Sequence, residues 1–461
     1  KTMKKIIFGL SIIGLVGLTS CQDDFMEFEP SNSTELSGAI ENEAQLETAV
    51  LGIYDALQSN YAYGNYYISA QEILSDNGFV LLNNSNRFTD FYRFEHAISS
   101  GASIANMWTI GYRAIARANF VLGFEGVISG ANADKSFAEA RAIRALQLFN
   151  MVNYYARPYG TIDQDLGIPV PSAFEADTPL VRSSVEDVYN EIINELIVAA
   201  EDLPSVNAST TARINKEAVY ALLSRVFLYK KEYDQSVQYA DLALGAVNLL
   251  EAENLNSYYH NPTDDGESLF TIAFSDIDNP NSNDALSATW SLGRYEDTAA
   301  TTDFYNLIPE SDSRKNLYQL WDTSDNPAPY GVLKFGNVDN DVIVIRGTEA
   351  LLNKIESLYY IDPSQALTEL VNWVQTYRDE TYSFSGTGQE LLDEILLQRR
   401  IELAFEGHRY FDMNRYEMDI QKSANSTVNS FMPFNDYRRV FPIPLNEMNT
   451  NPEMVQNPNY Q

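Results

Sequence analysis

Residues 216–245 read KEAVYALLSRVFLYKKEYDQSVQYADLALG. Small and aromatic side chains recur through this stretch at helical spacing: Tyr220, Leu223, Ser224 and Phe227, then Tyr233, Ser236, Ala240 and Ala243. The pattern puts each group on one face of a helix, with Tyr233 opening the second helix. Facing stripes of small residues let paired helices approach closely. A single pair of this kind cannot bury both its faces, so neighbours must stack on it.

The order of residues, an aromatic, a Leu with a small neighbour, a second aromatic, then a Tyr opening a helix lined by small residues, resembles a tetratricopeptide repeat. Candidate partners lie on both sides. Leu46, Val50, Ile53, Tyr54 and Leu57 form an apolar stripe. So do Trp108, Tyr112, Ile115, Asn119 and Leu122, and again Ala138, Ala142, Ala145, Leu148 and Val152. Val185, Val188, Ile192, Leu196 and Ala199 make another, stopped by Leu203-Pro204. Helices are thus expected over 107–124, 134–156 and 184–202, and helical spacing returns at 348–360, 364–380 and 389–406. Between them, residues 251–345 change character. Asn261-Pro262, Asp278-Asn279-Pro280-Asn281 and Asp325-Asn326-Pro327 are turn signals, and Leu269–Phe274 and Val342–Ile345 are short β-type runs. The expected fold is mainly α: a tetratricopeptide-like helix-pair scaffold with an irregular, loop-rich lobe carrying a few short strands. The closing stretch, 431–461, reads as extended and Pro-rich.

The N-terminal end addresses the chain. Lys4 and Lys5 follow Met3, the expected true start, and residues 6–18 contain one polar side chain, Ser11. This run reads as a secretory signal peptide and is too short to span a bilayer, which needs roughly 20 apolar residues. Leu18-Thr19-Ser20-Cys21 looks like a bacterial lipobox, which implies a diacylated Cys21 as the first mature residue. Cys21 is the chain's single cysteine, so no internal disulfide can form. The expected organisation is a lipoprotein signal peptide (1–20), a flexible acidic tether (21–40), an N-terminal helical region (41–250) and a C-terminal region (251–461), within one compact structural unit.

The formal charge is −33, more negative still without the leader's lysines. Nucleic acid as a partner is excluded on this ground, because phosphate neutralisation supplies most of that affinity. Neutral or cationic ligands are compatible. No metal-spaced histidine pair, G-x-S-x-G elbow or phosphate-binding glycine loop occurs, and no cofactor is expected. Asp276, Asp278, Asn281 and Asn283 are a weak Ca²⁺ candidate lacking the EF-hand glycine and terminal Glu. Glu402 and Glu406 could form an acid pair, but arginines surround them and an ion-pair network is the expected state.

Tyr is abundant at 29, with 23 Phe and four Trp, a surplus that fits ring faces with wet edges. Trp290 and Trp321 fall in the loop-rich insert beside Tyr295 and Tyr330, and Trp373 on a helical margin. Tyr61, Tyr63, Tyr66 and Tyr67 share an N-terminal loop followed by Asp76, Asn83, Asn84 and Arg87. If the two loops converge, they make an aromatic shelf with polar edges. The candidate ligand contacts are Trp290 and Trp321 first, then Tyr67, Tyr295, Tyr66, Tyr330, Asp76 and Arg87, no one of them catalytic.

Residues 389–415 read QELLDEILLQRRIELAFEGHRYFDMNR. Arg399 through Arg415 resembles the late signature of the SusD/RagB family of Bacteroidetes outer-membrane lipoproteins, with Gln398 in place of the usual Glu and Tyr410 in place of Trp. Phe441-Pro442-Ile443-Pro444, Glu447, Asn451-Pro452 and Gln456-Asn457-Pro458-Asn459-Tyr460 match its C-terminus. Earlier echoes are Trp108 with Gly111-Tyr112 and Ala118-Asn119, Glu139-Ala140-Arg141-Ala142, Tyr159-Gly160, and Arg346 with Glu349. The resemblance implies a tetratricopeptide-like fold and a non-enzymatic cell-surface protein. Such a protein would capture oligosaccharides and pass them to a SusC-like TonB-dependent outer-membrane transporter, lipid-anchored and facing the exterior. Gln22-Asp23-Asp24 resembles the family's surface-export signal. Some relatives capture peptides instead, and the charge keeps that alternative open. A surface glycosidase is the enzyme rival.

Overall fold

The computed structural model describes residues 38–99, 102–174, 179–206, 211–260, 267–291, 295–321, 329–422 and 431–460. The lipobox at Cys21 and most of the tether lie outside them. From Glu43 onward the chain forms one compact unit.

Eleven helices carry the argument: α1 (Glu43–Gln58), α2 (Tyr66–Leu74), α3 (Ser103–Leu122), α4 (Ala131–Tyr155), α5 (Val185–Asp202), α6 (Lys216–Lys230), α7 (Tyr233–Leu244), α8 (Gly347–Ile361), α9 (Pro363–Tyr377), α10 (Gln389–Leu403) and α11 (Arg409–Arg415). The long ones pack as neighbours in sequence, α3 on α4, α4 on α5, α6 on α7 and α8 on α9, and α8 returns to cover α7. This is the stacked helix-pair scaffold the repeat pattern predicts.

The 216–245 stretch shows why it forms. Asn215 caps α6, its Oδ1 accepting the Ala218 N–H at 2.9 Å. Lys231 takes a left-handed conformation (φ 62) that ends the helix. Ser236, Ala240 and Ala243 are buried on the facing side of α7. Their small size brings the helices close enough for the Ser236 hydroxyl to donate to the Ser224 carbonyl at 3.0 Å. From α8 the Ser357 hydroxyl reaches Ser236 at 2.8 Å. The same logic places Gly111 where α3 meets α4, since a Cβ there would overlap the Met151 sulfur. Trp373, expected at a helical margin, sits inside α9 and is buried in the cluster of Leu352, Ile355, Leu370 and Leu391.

The insert holds most of the strands. β1 (Gly78–Val80), β3 (Thr298–Ala300), β4 (Tyr318–Leu320) and β5 (Tyr330–Val332) form one small sheet in the order β1-β3-β5-β4, while β2 (Ser268–Ile272) pairs with β6 (Val342–Arg346). The β2–β6 pairing is antiparallel, as is that of β7 (Ile420–Gln421) with β8 (Phe431–Met432). The β-type runs near 269 and 342 are therefore strands that meet across 70 residues of chain. The terminal stretch is less extended than its composition implies: a 3₁₀ turn at Tyr437–Arg439 and a short helix at Leu445–Thr450 interrupt it.

Candidate functional site

The sheet brings the two candidate loops together. β1 pairs with β3 in the register Val80↔Thr298, so the loop leaving β1 lies beside the chain entering β3. The Leu81 N–H donates to the Asp297 carbonyl at 2.9 Å, and the Ser85 N–H to the Asp297 carboxylate at 2.7 Å. Asn86 and Phe88 follow with left-handed backbones (φ 66 and 56), which turn the chain so that Arg87 projects toward the insert. Its guanidinium lies 4.2 Å above the Tyr295 ring and donates to the Asn283 carbonyl. The Tyr295 hydroxyl donates to the Asn283 side chain at 2.7 Å. Tyr295 is 43% exposed. Arg87, Asn283 and Tyr295 thus form a closed triangle at the surface, with Asp297 3.8 Å behind the arginine.

An aromatic run extends this shelf. Phe88 packs on Tyr66 with centroids 4.6 Å apart, and Tyr66 on Tyr61 at 4.9 Å. Tyr61 and Tyr66 are half-buried. Burial raises the Tyr66 hydroxyl above its ordinary range, so it is a neutral hydrogen-bonding group.

The tryptophans play another part, which corrects the expectation of exposed indoles. Trp290 is 0% exposed and Trp321 3%. The Trp290 Nε1–H donates to Ser69 at 2.8 Å, and its ring meets Phe405 edge-on at 4.9 Å. Ser69 in turn donates to Asn65, whose Nδ2 donates to Asp284 O at 2.8 Å and Thr289 Oγ1 at 2.7 Å. Trp290 is therefore a staple that fastens the 281–290 segment to the start of α2 and so positions Asn283. Trp321 is buried too, its Nε1 without a hydrogen-bond partner among the described residues. Neither ring has a face open to a ligand.

Tyr67 and Asp76 also belong to the scaffold. The Tyr67 hydroxyl donates to Gln147 at 3.1 Å in the core. Asp76 receives Arg409 at 2.7 and 2.8 Å and Arg400 at 3.2 Å. Burial would raise its pKa, but the two arginines outweigh burial and hold it well below the usual range. Tyr330 is at the surface but elsewhere. It pairs with Ala300 at the far end of β3 from Thr298, about 7 Å along the strand. There it stacks on Tyr305 at 3.9 Å, with the Lys315 ammonium 4.5 Å from the Tyr305 ring.

The weak Ca²⁺ candidate closes on itself. Asn281 Oδ1 accepts the Asn283 N–H, Asn279 Oδ1 the Asn281 N–H, and Gln58 donates to Asp278. No group of three potential metal ligands occurs among the described residues. Glu402 and Glu406 do sit in an ion-pair network, but its cations come from remote segments, while the neighbouring arginines expected to answer them pair with Asp76, Glu356 and Asp412. Glu402 takes Arg378 at 2.8 Å twice and Arg346 at 2.9 Å. Glu406 takes Arg346 at 2.7 Å and Lys334 at 2.6 Å. Burial pushes both upward, yet these cations win: Glu402 lies well below its ordinary value and Glu406 is down to about 2. Neither holds a proton to donate at neutral pH.

Sequence reading missed Asn283 as the shelf's hub and Asp297 as its anchor. A turn-rich Asn/Asp cluster was visible there, but only pairing across the sheet selects these two.

Residues 24–228 match a SusD-like family model described as "Starch-binding associating with outer membrane", and residues 332–460 match the SusD family model. The chain belongs to the SusD/RagB family. A SusD-like protein of Formosa agariphila is 23% identical, covering 98% of each chain. Among solved structures, one titled a putative sugar binding protein from Bacteroides vulgatus superposes with TM-score 0.82 at 26% identity, covering 92% of this chain and 100% of the other. A laminarin binding SusD-like protein matches with TM-score 0.73 at 19% identity, over 91% and 100%. No helix among the described residues is long and apolar enough to cross a membrane.

Proposed function

We propose that this SusD-family chain is a non-catalytic glycan-binding lipoprotein and that the Arg87–Asn283–Tyr295 shelf is its capture surface. The observation that carries this reading is the convergence of two loops, from β1 and into β3, on an exposed tyrosine edged by an amide and a guanidinium. A sugar presents C–H faces that pack on such rings and hydroxyls that pair with such edges. Each exchanged hydrogen bond nets on the order of 1 kcal/mol, so capture is weak enough to allow release. The likeness to a sugar binding protein from Bacteroides vulgatus and to a laminarin binding SusD-like protein supports a saccharide as ligand.

The lipobox at Cys21 supports anchoring at the outer membrane, and family membership supports delivery to a SusC-like TonB-dependent transporter. The test is a glycan array followed by calorimetry on the hits. Tyr295→Ala should weaken binding at least tenfold. A bound glycan whose affinity is unchanged in Tyr295→Ala and Arg87→Ala overturns the shelf, and capture of peptides alone overturns the saccharide reading. Co-purification of a large β-barrel in mild detergent tests the transporter, and loss of lipid labelling in Cys21→Ala tests the anchor.

A further inference from the structure

The C-terminal strap and the loop after α4 enclose a second open cleft. It has a volume of about 150 Å³ and is lined by Arg157, Asp163, Asn435, Tyr437, Asn457 and Asn459, among others.

The cleft's electrostatics run against those of the chain. Elsewhere the buried arginines face carboxylates. Here they are held by neutral oxygens. Arg157, 9% exposed, donates to the carbonyls of Phe434 at 3.1 Å, Asn435 at 3.4 Å and Asp436 at 3.3 Å. Arg182 donates to the carbonyls of Gly167, Val455 and Tyr155 and to Asn457 Oδ1. Arg439 reaches Asn414 Oδ1 and the Met418 carbonyl. No carboxylate ion-pairs with these three among the described residues. Burial lowers Arg182 to about 10, as expected for a guanidinium without a counter-anion. Of the acids nearby, Asp436 is held by Arg438 at 2.8 Å, Asp419 accepts the Phe434 N–H at 2.8 Å and reaches Arg439 only through space, and Asp163 is exposed at the cleft wall.

Arg157 uses three of its five N–H groups on carbonyls, leaving Nε–H and one Nη1 hydrogen. Tyr437, 36% exposed, is braced edge-on by Tyr460 at 4.9 Å. The side chains of Asn435 and Asn459 are exposed.

We propose that this cleft is a second ligand site, separate from the shelf, for a carboxylate-bearing saccharide. The carboxylate meets the free Arg157 donors, the sugar ring lies on Tyr437, and the Asn435 and Asn459 amides take hydroxyls. The anion would supply the ion-pair partner that Arg157 lacks.

The test is ligand-observed NMR on the full chain with D-glucuronate, D-glucose and inorganic sulfate as probes. Glucuronate should bind at least tenfold more tightly than glucose. Asn435→Asp and Asn459→Asp each place a carboxylate in the cleft without touching the contacts that pin the strap. Each should cost glucuronate at least tenfold with the melting temperature unchanged. Tyr295→Ala should leave glucuronate binding intact, which separates this site from the shelf. Glucuronate binding unaffected by both Asp variants overturns the proposal, as does no glucuronate binding at all. Sulfate binding as tightly as glucuronate overturns the saccharide part, because the ring would then add nothing.

Discussion

The Glu402–Glu406 core and the Arg87–Tyr295 shelf use the same residue types to opposite ends. In the core, four cations from four segments, Arg314, Lys334, Arg346 and Arg378, converge on two buried carboxylates. At the shelf one arginine faces a ring, a carbonyl and a distant carboxylate, and its side chain is partly exposed. Buried charges must be answered group for group, so the core is fixed and its acids cannot trade protons. Surface groups are answered by solvent as well, and can exchange those contacts for a ligand's. The difference teaches that charge-rich motifs mark function only where burial does not already consume every donor and acceptor.

The strongest way to break this comparison is to unbalance the core. Glu402→Ala leaves Arg378 buried without its carboxylate partner and takes one of three from Arg346, and should cost about 3–5 kcal/mol in denaturant unfolding. A change below about 1 kcal/mol would mean the network is solvated rather than buried. Trp290→Ala tests the staple: removal of a fully buried indole should cost about 3–5 kcal/mol. Any change in glycan affinity should then follow the loss of order in the 281–290 segment.

Glu72 sharpens the comparison, because it is a core carboxyl without an ion-pair partner among the described residues. Burial pushes it up to about 7, against hydrogen bonds from Asn77 and the Gly407 N–H. The folded state therefore holds a proton that the unfolded state releases near 4.5. The stabilisation is full below about pH 4.5 and is lost as pH rises through 7. Between these values the contribution falls by on the order of 3 kcal/mol. Glu72→Gln should flatten that part of the stability–pH curve and be the more stable protein at pH 8. An unaltered curve would show that Glu72 is charged and compensated. The smallest effect on folding belongs to the shelf: Tyr295→Ala should change stability by under about 0.5 kcal/mol while weakening glycan binding at least tenfold.

Much of the architecture was legible because it is local. Helix periodicity depends on residues three and four apart, so the repeat at 216–245 and its neighbours could be read directly. The small sheet was not, since three-residue strands such as Thr298–Ala300 carry too little pattern to announce a partner 220 residues away. Arg87 and Tyr295 were named from loop composition, and their meeting was posed as a condition. Trp290 was misplaced for a physical reason: residue type and a loop-rich setting do not report burial, and its indole N–H finds Ser69 only after the insert folds back on α2.

The amino-acid sequence by itself determined the helix-pair scaffold, the acidic character and the family signature. Each rests on short-range spacing or on charge count. Only the tertiary structure decided which aromatics are staples and which are shelf, and which carboxylates are locked and which is left unpaired. It also decided that Arg157, Arg182 and Arg439 are held by neutral oxygens, with no carboxylate in an ion pair with them among the described residues. Those outcomes depend on which groups lose their water, and that is settled by contacts between segments hundreds of residues apart.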